Sequence, residues 1–140
     1  MSNYISLKYI DTKYIIYYLY EDNMRGKYMN PIIANLKRAS IELILLSILK
    51  EEDMYGYQLA GEIKHRTNDK LSILESSMYT ILNRMKENGD VFFRSEIVGK
   101  KMTRIYYHIT DTGLKHLDEM LITFNEYAKV IESVINKESQ

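Results

Sequence analysis

Residues 75–110, ESSMYTILNRMKENGDVFFRSEIVGKKMTRIYYHIT, read as a short helix, a glycine stop and a two-stranded hairpin. A helix is predicted from Ser76 to Gly89. On its wheel Met78, Ile81, Leu82 and Met85 fall on one side. Ser76, Thr80, Asn83 and Glu87 fall opposite, flanked by Tyr79 and Arg84. Gly89 suits the left-handed residue that ends a helix. After it, VFFRSE and RIYYHIT are rich in β-branched and aromatic residues and are separated by IVGKKMT. That pattern predicts a hairpin with Gly99 near its tip and Lys100, Lys101 and Arg104 around it.

Working back toward the N-terminus, IELILLSILKEE predicts a helix with Ser40 as N-cap and Glu42 in its first turn. Ile41, Leu43, Ile44, Leu45, Leu46, Ile48 and Leu49 are apolar almost all round, the mark of a helix buried on several sides. Asp53 is a candidate cap for a second helix, MYGYQLAGEIKHRT, with Leu59, Ala60 and Ile63 as its inner stripe. Gly56 and Gly61 each cost a helix about 1 kcal/mol relative to Ala. They point to close approach by another backbone or a phosphate; simple helix–helix packing is an equal reading for Gly61.

Working forward, a long helix is predicted from Asp111 to about Asn136. Leu114, Leu117, Leu121, Phe124, Ala128, Ile131 and Ile135 recur at spacings of three and four, an a/d seam. Met120, Tyr127 and Val134 widen it. About 26 helical residues span ~39 Å, longer than a small domain can cover. A seam of that length favours a dimerisation helix over a stripe packed wholly within one chain.

Three helices, then a hairpin with a cationic tip, is the winged helix-turn-helix order. The expected fold is mainly α with a small β-hairpin, plus a long C-terminal dimerisation helix. Hydroxyls and an amide on the third helix are the groups that address base edges in a DNA major groove. Lysine and arginine on a wing neutralise phosphates without reading sequence. The plainer readings are an ordinary solvated helix face and a hairpin kept soluble by its charges.

Bulk properties narrow the field. The 140 residues suffice for one domain with a core, in the composition range of globular proteins. There is no Cys, which excludes disulfides and thiolate chemistry and suits a cytoplasmic location. No apolar run approaches the roughly 18 residues of a membrane span, and no secretory signal is evident. Net charge is zero but uneven. Residues 1–39 carry six Lys/Arg against three Asp/Glu, 40–110 ten against ten, and 111–140 three against six. Local placement of cations therefore matters more than their total. His116 lies near Asp118 and Glu119, a grouping that solvated helix faces make routinely, so no metal is expected. No phosphate loop, nucleophile motif or paired carboxylates appear. Neither an enzyme nor a cofactor is expected.

Residues 1–28 hold seven of the thirteen tyrosines, including the run YIIYYLY from Tyr14 to Tyr20. They show no clean periodicity and read as a poorly packed extension or as an element added to a dimer. Met24-Arg25-Gly26-Lys27 is compatible with a purine-rich ribosome-binding stretch, which makes Met29 a candidate start. The expected organisation is an extension over 1–28, a winged domain over 29–110 and a dimerisation helix with a short tail over 111–140.

The segments LILLSILKEEDMYGYQLAGEI, ESSMYTILNRMKENGDV and RIYYHIT followed by Asp111-Thr112-Gly113 resemble the PadR family of bacterial transcriptional regulators, especially its small members with a single helical tail. The resemblance spans about residues 36–135. It implies a homodimer binding a pseudo-palindromic operator in double-stranded DNA, usually as a repressor. It implies DNA contacts from Ser76, Ser77, Tyr79, Thr80 and Asn83, backbone contacts near Tyr57 and Lys64, and wing contacts from Lys100, Lys101 and Arg104. Many members have Tyr-Pro where this chain has Tyr79-Thr80, and Gly-Gly-Arg-Pro-Arg where it has Lys100-Lys101-Met102-Thr103-Arg104. Some drug-sensing members place a tryptophan at the dimer centre. Phe124 aligns there and is a candidate platform for a planar aromatic effector, or simply a seam residue. The alternative to operator binding is a winged-helix module acting through protein contacts.

Overall fold

The computed structural model describes residues 31–136. The Tyr-rich segment 1–28, the candidate start at Met29 and residues 137–140 lie outside the described residues. Four helices and three strands follow in the order α1 (Pro31–Leu49), β1 (Met54–Tyr55), α2 (Gly56–Arg66), α3 (Glu75–Glu87), β2 (Val91–Val98), β3 (Met102–Ile109) and α4 (Asp111–Ile135). This is the expected winged helix with a long C-terminal helix.

Helix α1 starts nine residues before the expected Ser40 cap. Pro31 stands at its first position, where a missing N–H costs nothing. Ser40 is an interior residue: its Oγ donates to the Leu36 carbonyl at 2.9 Å, a local bond that lets serine sit inside a helix. Glu42 is likewise not in a first turn but reaches across to Arg84 on α3. Ile41, Leu45, Leu46, Ile48 and Leu49 are buried, and they form the central support of the core.

Asp53 does not cap α2. The chain first adds a two-residue strand, pairing Met54 with Tyr107 and Tyr55 with Tyr106, and α2 then begins at Gly56. The Gln58 side chain accepts from the Tyr55 N–H at 3.2 Å. Asp53 is taken by the sheet instead: Arg94 Nη1 donates to it at 2.5 Å and His108 Nδ1 at 2.6 Å. Leu59 and Ile63 face inward from α2 as expected, with Ala60 partly buried against them.

Helix α3 buries Met78, Leu82 and Met85 and half-buries Ile81, the predicted apolar face. Asn88 is its C-cap, and Gly89 follows at φ +83°, a left-handed turn where a Cβ is strained. The hairpin is longer than its composition suggested. Ile97 and Val98 join β2, Met102 and Thr103 join β3, and Val98 pairs with Met102. The three strands are antiparallel in the order β1-β3-β2.

Thr110 caps α4, its Oγ1 accepting from the Gly113 N–H at 2.9 Å. Leu117 is buried in the core, and Leu114 and Met120 pack against it. Beyond Met120 the helix leaves the domain. Leu121, Phe124, Tyr127, Val130, Ile131, Val134 and Ile135 are all exposed, Val134 by 78%.

Candidate nucleic-acid interface

The polar face of α3 carries Ser76, Ser77, Tyr79, Thr80 and Asn83, all exposed. The burial of Met78, Leu82 and Met85 fixes which side of the helix this is. Thr80 Oγ1 donates to the Ser76 carbonyl at 3.2 Å, so its lone pairs stay outward and the helix stays regular. Tyr79 is held rather than free. Its hydroxyl donates to Glu75 at 3.3 Å, and its ring lies on Gly56, where an added Cβ would meet Cε1 at 3.0 Å. Burial, then the Glu75 charge, pushes its phenol up, which keeps it a neutral donor. Arg84, at the edge of this face, is tied to Glu42 of α1 through Nε at 2.9 Å and Nη2 at 2.6 Å. It braces α3 against α1.

The expected close approach at Gly56 is therefore made by the Tyr79 ring, a side chain rather than a backbone. Gly61 differs. Nothing lies within 4 Å of the position its Cβ would occupy, so no packing within the described residues explains it. Tyr57, Gly61 and Lys64 follow one another at helical spacing on the outer face of α2, and all three are exposed, Tyr57 by 70%.

The wing tip is Gly99-Lys100-Lys101, with Gly99 at φ +70°. Both lysines are exposed, and neither forms an ion pair among the described residues. Arg104 is not at the tip. It lies within β3 opposite Glu96, half-buried, its guanidinium 4.5 Å from the centre of the Tyr55 ring. Tyr55 in turn stacks on Tyr57 with centroids 6.5 Å apart. Arg104 thus links the wing to the start of α2, a pairing that only strand register reveals. No alternation in the sequence distinguishes it from the tip lysines.

Phe124 lies on the exposed length of α4, 52% accessible, among the seam residues named above. His116 does not join Asp118 and Glu119; it reaches Asp90 at 2.8 Å. Among the described residues no cluster of His, Asp and Glu is placed to hold a metal ion, and no helix is long and apolar enough to cross a membrane.

The profile of the PadR-like family of transcriptional regulators matches residues 45–119, from α1 to the first turns of α4. The chain belongs to this family. PadR-like proteins are regulators of transcription, not enzymes. An uncharacterized protein of Lysinibacillus sphaericus is 31% identical over 101 residues, covering 71% of this chain and 91% of its own. A transcriptional regulator from Clostridium thermocellum superposes with a TM-score of 0.67 at 28% identity, over 73% of this chain and 99% of that one. PadR of Bacillus subtilis, a negative transcriptional regulator solved in complex with operator DNA, superposes with a TM-score of 0.55 at 27% identity. The match covers 59% of this chain but only 45% of that PadR, so the chain spans less than half the length of that relative.

Proposed function

We propose that two copies of this PadR-like chain bind one pseudo-palindromic operator, each setting the N-terminal half of α3 into a major groove, and that the bound dimer represses transcription. The observation that carries this reading is the exposed hydroxyl-and-amide face of α3, flanked by uncommitted lysines on α2 and the wing. Asn83 is the strongest candidate for reading a base, since an amide can pair with adenine through two hydrogen bonds. Ser76, Ser77, Tyr79 and Thr80 complete the groove contact. Tyr57, Lys64, Lys100 and Lys101 meet phosphates, and Arg104 positions the wing from its stack on Tyr55. Gly61 leaves room for the sugar-phosphate backbone between Tyr57 and Lys64. The solved complex of the Bacillus subtilis relative with operator DNA supports the same mode of use.

Residues 29–110 form the reading head in this account, and residues 111–140 the clasp. Of the expected seam, Leu117 is taken by the core of its own chain and Leu114 packs against that core, so the seam left for a partner is Leu121, Phe124, Ala128, Ile131 and Ile135. The exposure of Leu121, Phe124, Ile131 and Ile135 in the single chain supports a partner there. A planar aromatic molecule stacked on Phe124 between the two copies is the effector this arrangement suits. A mobility-shift assay with the DNA upstream of the protein's own gene tests the proposal. A shift that sharpens at low salt and survives competition by unrelated duplex supports it. Absence of any sequence preference leaves the protein-contact alternative.

A further inference from the structure

Asp90 is the only buried charged residue among those described, at 2% exposure. It sits in the turn after α3 and is bonded both to the end of α3 and to the root of α4. Its backbone N–H donates to Met85 of α3 at 2.9 Å. Its carbonyl accepts from the Thr110 N–H at 3.0 Å, and the Thr110 hydroxyl, 3.1 Å from the same oxygen, donates to the nearer Gly89 carbonyl at 2.6 Å. Its carboxylate accepts from His116 Nδ1 at 2.8 Å, the imidazole being the donor because an ionised carboxylate only accepts. Gly113 closes the joint: a Cβ there would lie 2.1 Å from the Asp90 carbonyl oxygen, so the first turn of α4 rests directly on this backbone.

A buried carboxylate is costly unless its partner is placed well, and an apolar pair of similar volume commonly serves stability equally or better. What a directional pair adds is a single orientation. We infer that Asp90 and His116 are positioning residues that fix the angle between the reading helix α3 and the clasping helix α4, and so set the half-site spacing the dimer accepts. This rests on the operator-binding reading for its spacing consequence, not for the joint itself. One added base pair moves a half-site by about 3.4 Å and rotates it by about 35°. The burial of Leu117 holds α4 to the core without fixing its direction. The His116 hydrogen bond, the two Thr110 bonds to the turn and the Gly113 contact supply that direction, making a dimer intolerant of that step.

The test has two arms. The chain has no native cysteine, so Glu87→Cys on α3 and Lys129→Cys on α4 accept spin labels without interference. In labelled chains diluted with unlabelled protein and without DNA, the background sequence gives one narrow α3–α4 distance. His116→Ala broadens it, whereas Asp90→Asn, which keeps an acceptor for His116, leaves it narrow. Because His116→Ala strands a buried carboxylate, the double variant Asp90→Leu/His116→Ala is measured beside it. It refills the space with carbon, folds, and shows the same broadening. In the second arm, palindromes differing by single base pairs in spacing are titrated. The wild type favours one spacing by about tenfold over its neighbours, and the double variant binds all within about twofold. A double variant as narrow in distance and as selective in spacing as the wild type overturns the inference. Should the wild type bind no palindrome at all, the operator reading falls and the label distances alone judge the joint.

Discussion

Asp53 shows how a single carboxylate is claimed by competing partners. Burial alone raises its pKa, but the hydrogen bonds from His108 and Arg94 outweigh that and hold the group below the ordinary carboxylate range. The stability it contributes is complete above the unfolded value, about pH 4, and is lost as pH falls through the depressed folded value. Asp53→Asn should therefore cost about 1 kcal/mol near neutrality, with the difference from wild type closing in acid; paired urea titrations at pH 7 and below pH 4 measure both. Gly61 tests the interface at the same scale. Gly61→Ala should raise the urea midpoint, since alanine stabilises an exposed helix by roughly 0.5–1 kcal/mol. It should weaken DNA binding alike on every sequence. A gain in stability with unchanged affinity separates Gly61 from the interface. At this scale the sequence was least legible. Ser40 and Asp53 are both good cap residues by type, yet Ser40 bonds back into its own helix and Asp53 answers strand residues 41 and 55 positions away. Nothing local encodes either choice.

The elements were far more legible, because periodicity and turn residues act over short range. The apolar stripe of α3, its glycine stop, the hairpin and the length of α4 all follow from the sequence pattern, whereas Leu117, expected in a seam between copies, lies in the core of its own chain. The two-residue β1 did not, since its pairing depends on β3 being present beside it. The strand ends at Ile97-Val98 and Met102-Thr103 were hidden because they look like the loop they adjoin. For the wing, Lys100→Ala and Lys101→Ala should each weaken binding uniformly and lower the salt slope by about one. Asn83→Ala should instead change which sequence is preferred, at a cost of about 1–3 kcal/mol on the cognate site; anisotropy titrations on cognate and altered duplexes separate the two behaviours. For α4, Ile131→Glu places a charge in the exposed part of the seam. Its expected result is a folded monomer by sedimentation, with unchanged helix content. A persisting dimer would move the clasp elsewhere.

Taken whole, the molecule joins a compact head to a helix that projects beyond it, with α3 and α4 rooted on either side of Asp90. The proposed dimer gives the projecting helix its use, a second copy meeting it beyond Met120, and ties the exposed length of α4 to the polar face of α3. The family membership of residues 45–119 agrees with it. Dimethyl sulfate protection of guanine N7 on the upstream DNA tests the central claim most directly, since that atom is exposed in the major groove. Two protected clusters are expected on one face of the duplex, centred about one helical turn apart and lost together in the Ile131→Glu monomer. Protection confined to one cluster, or binding that leaves every N7 reactive, would contradict it.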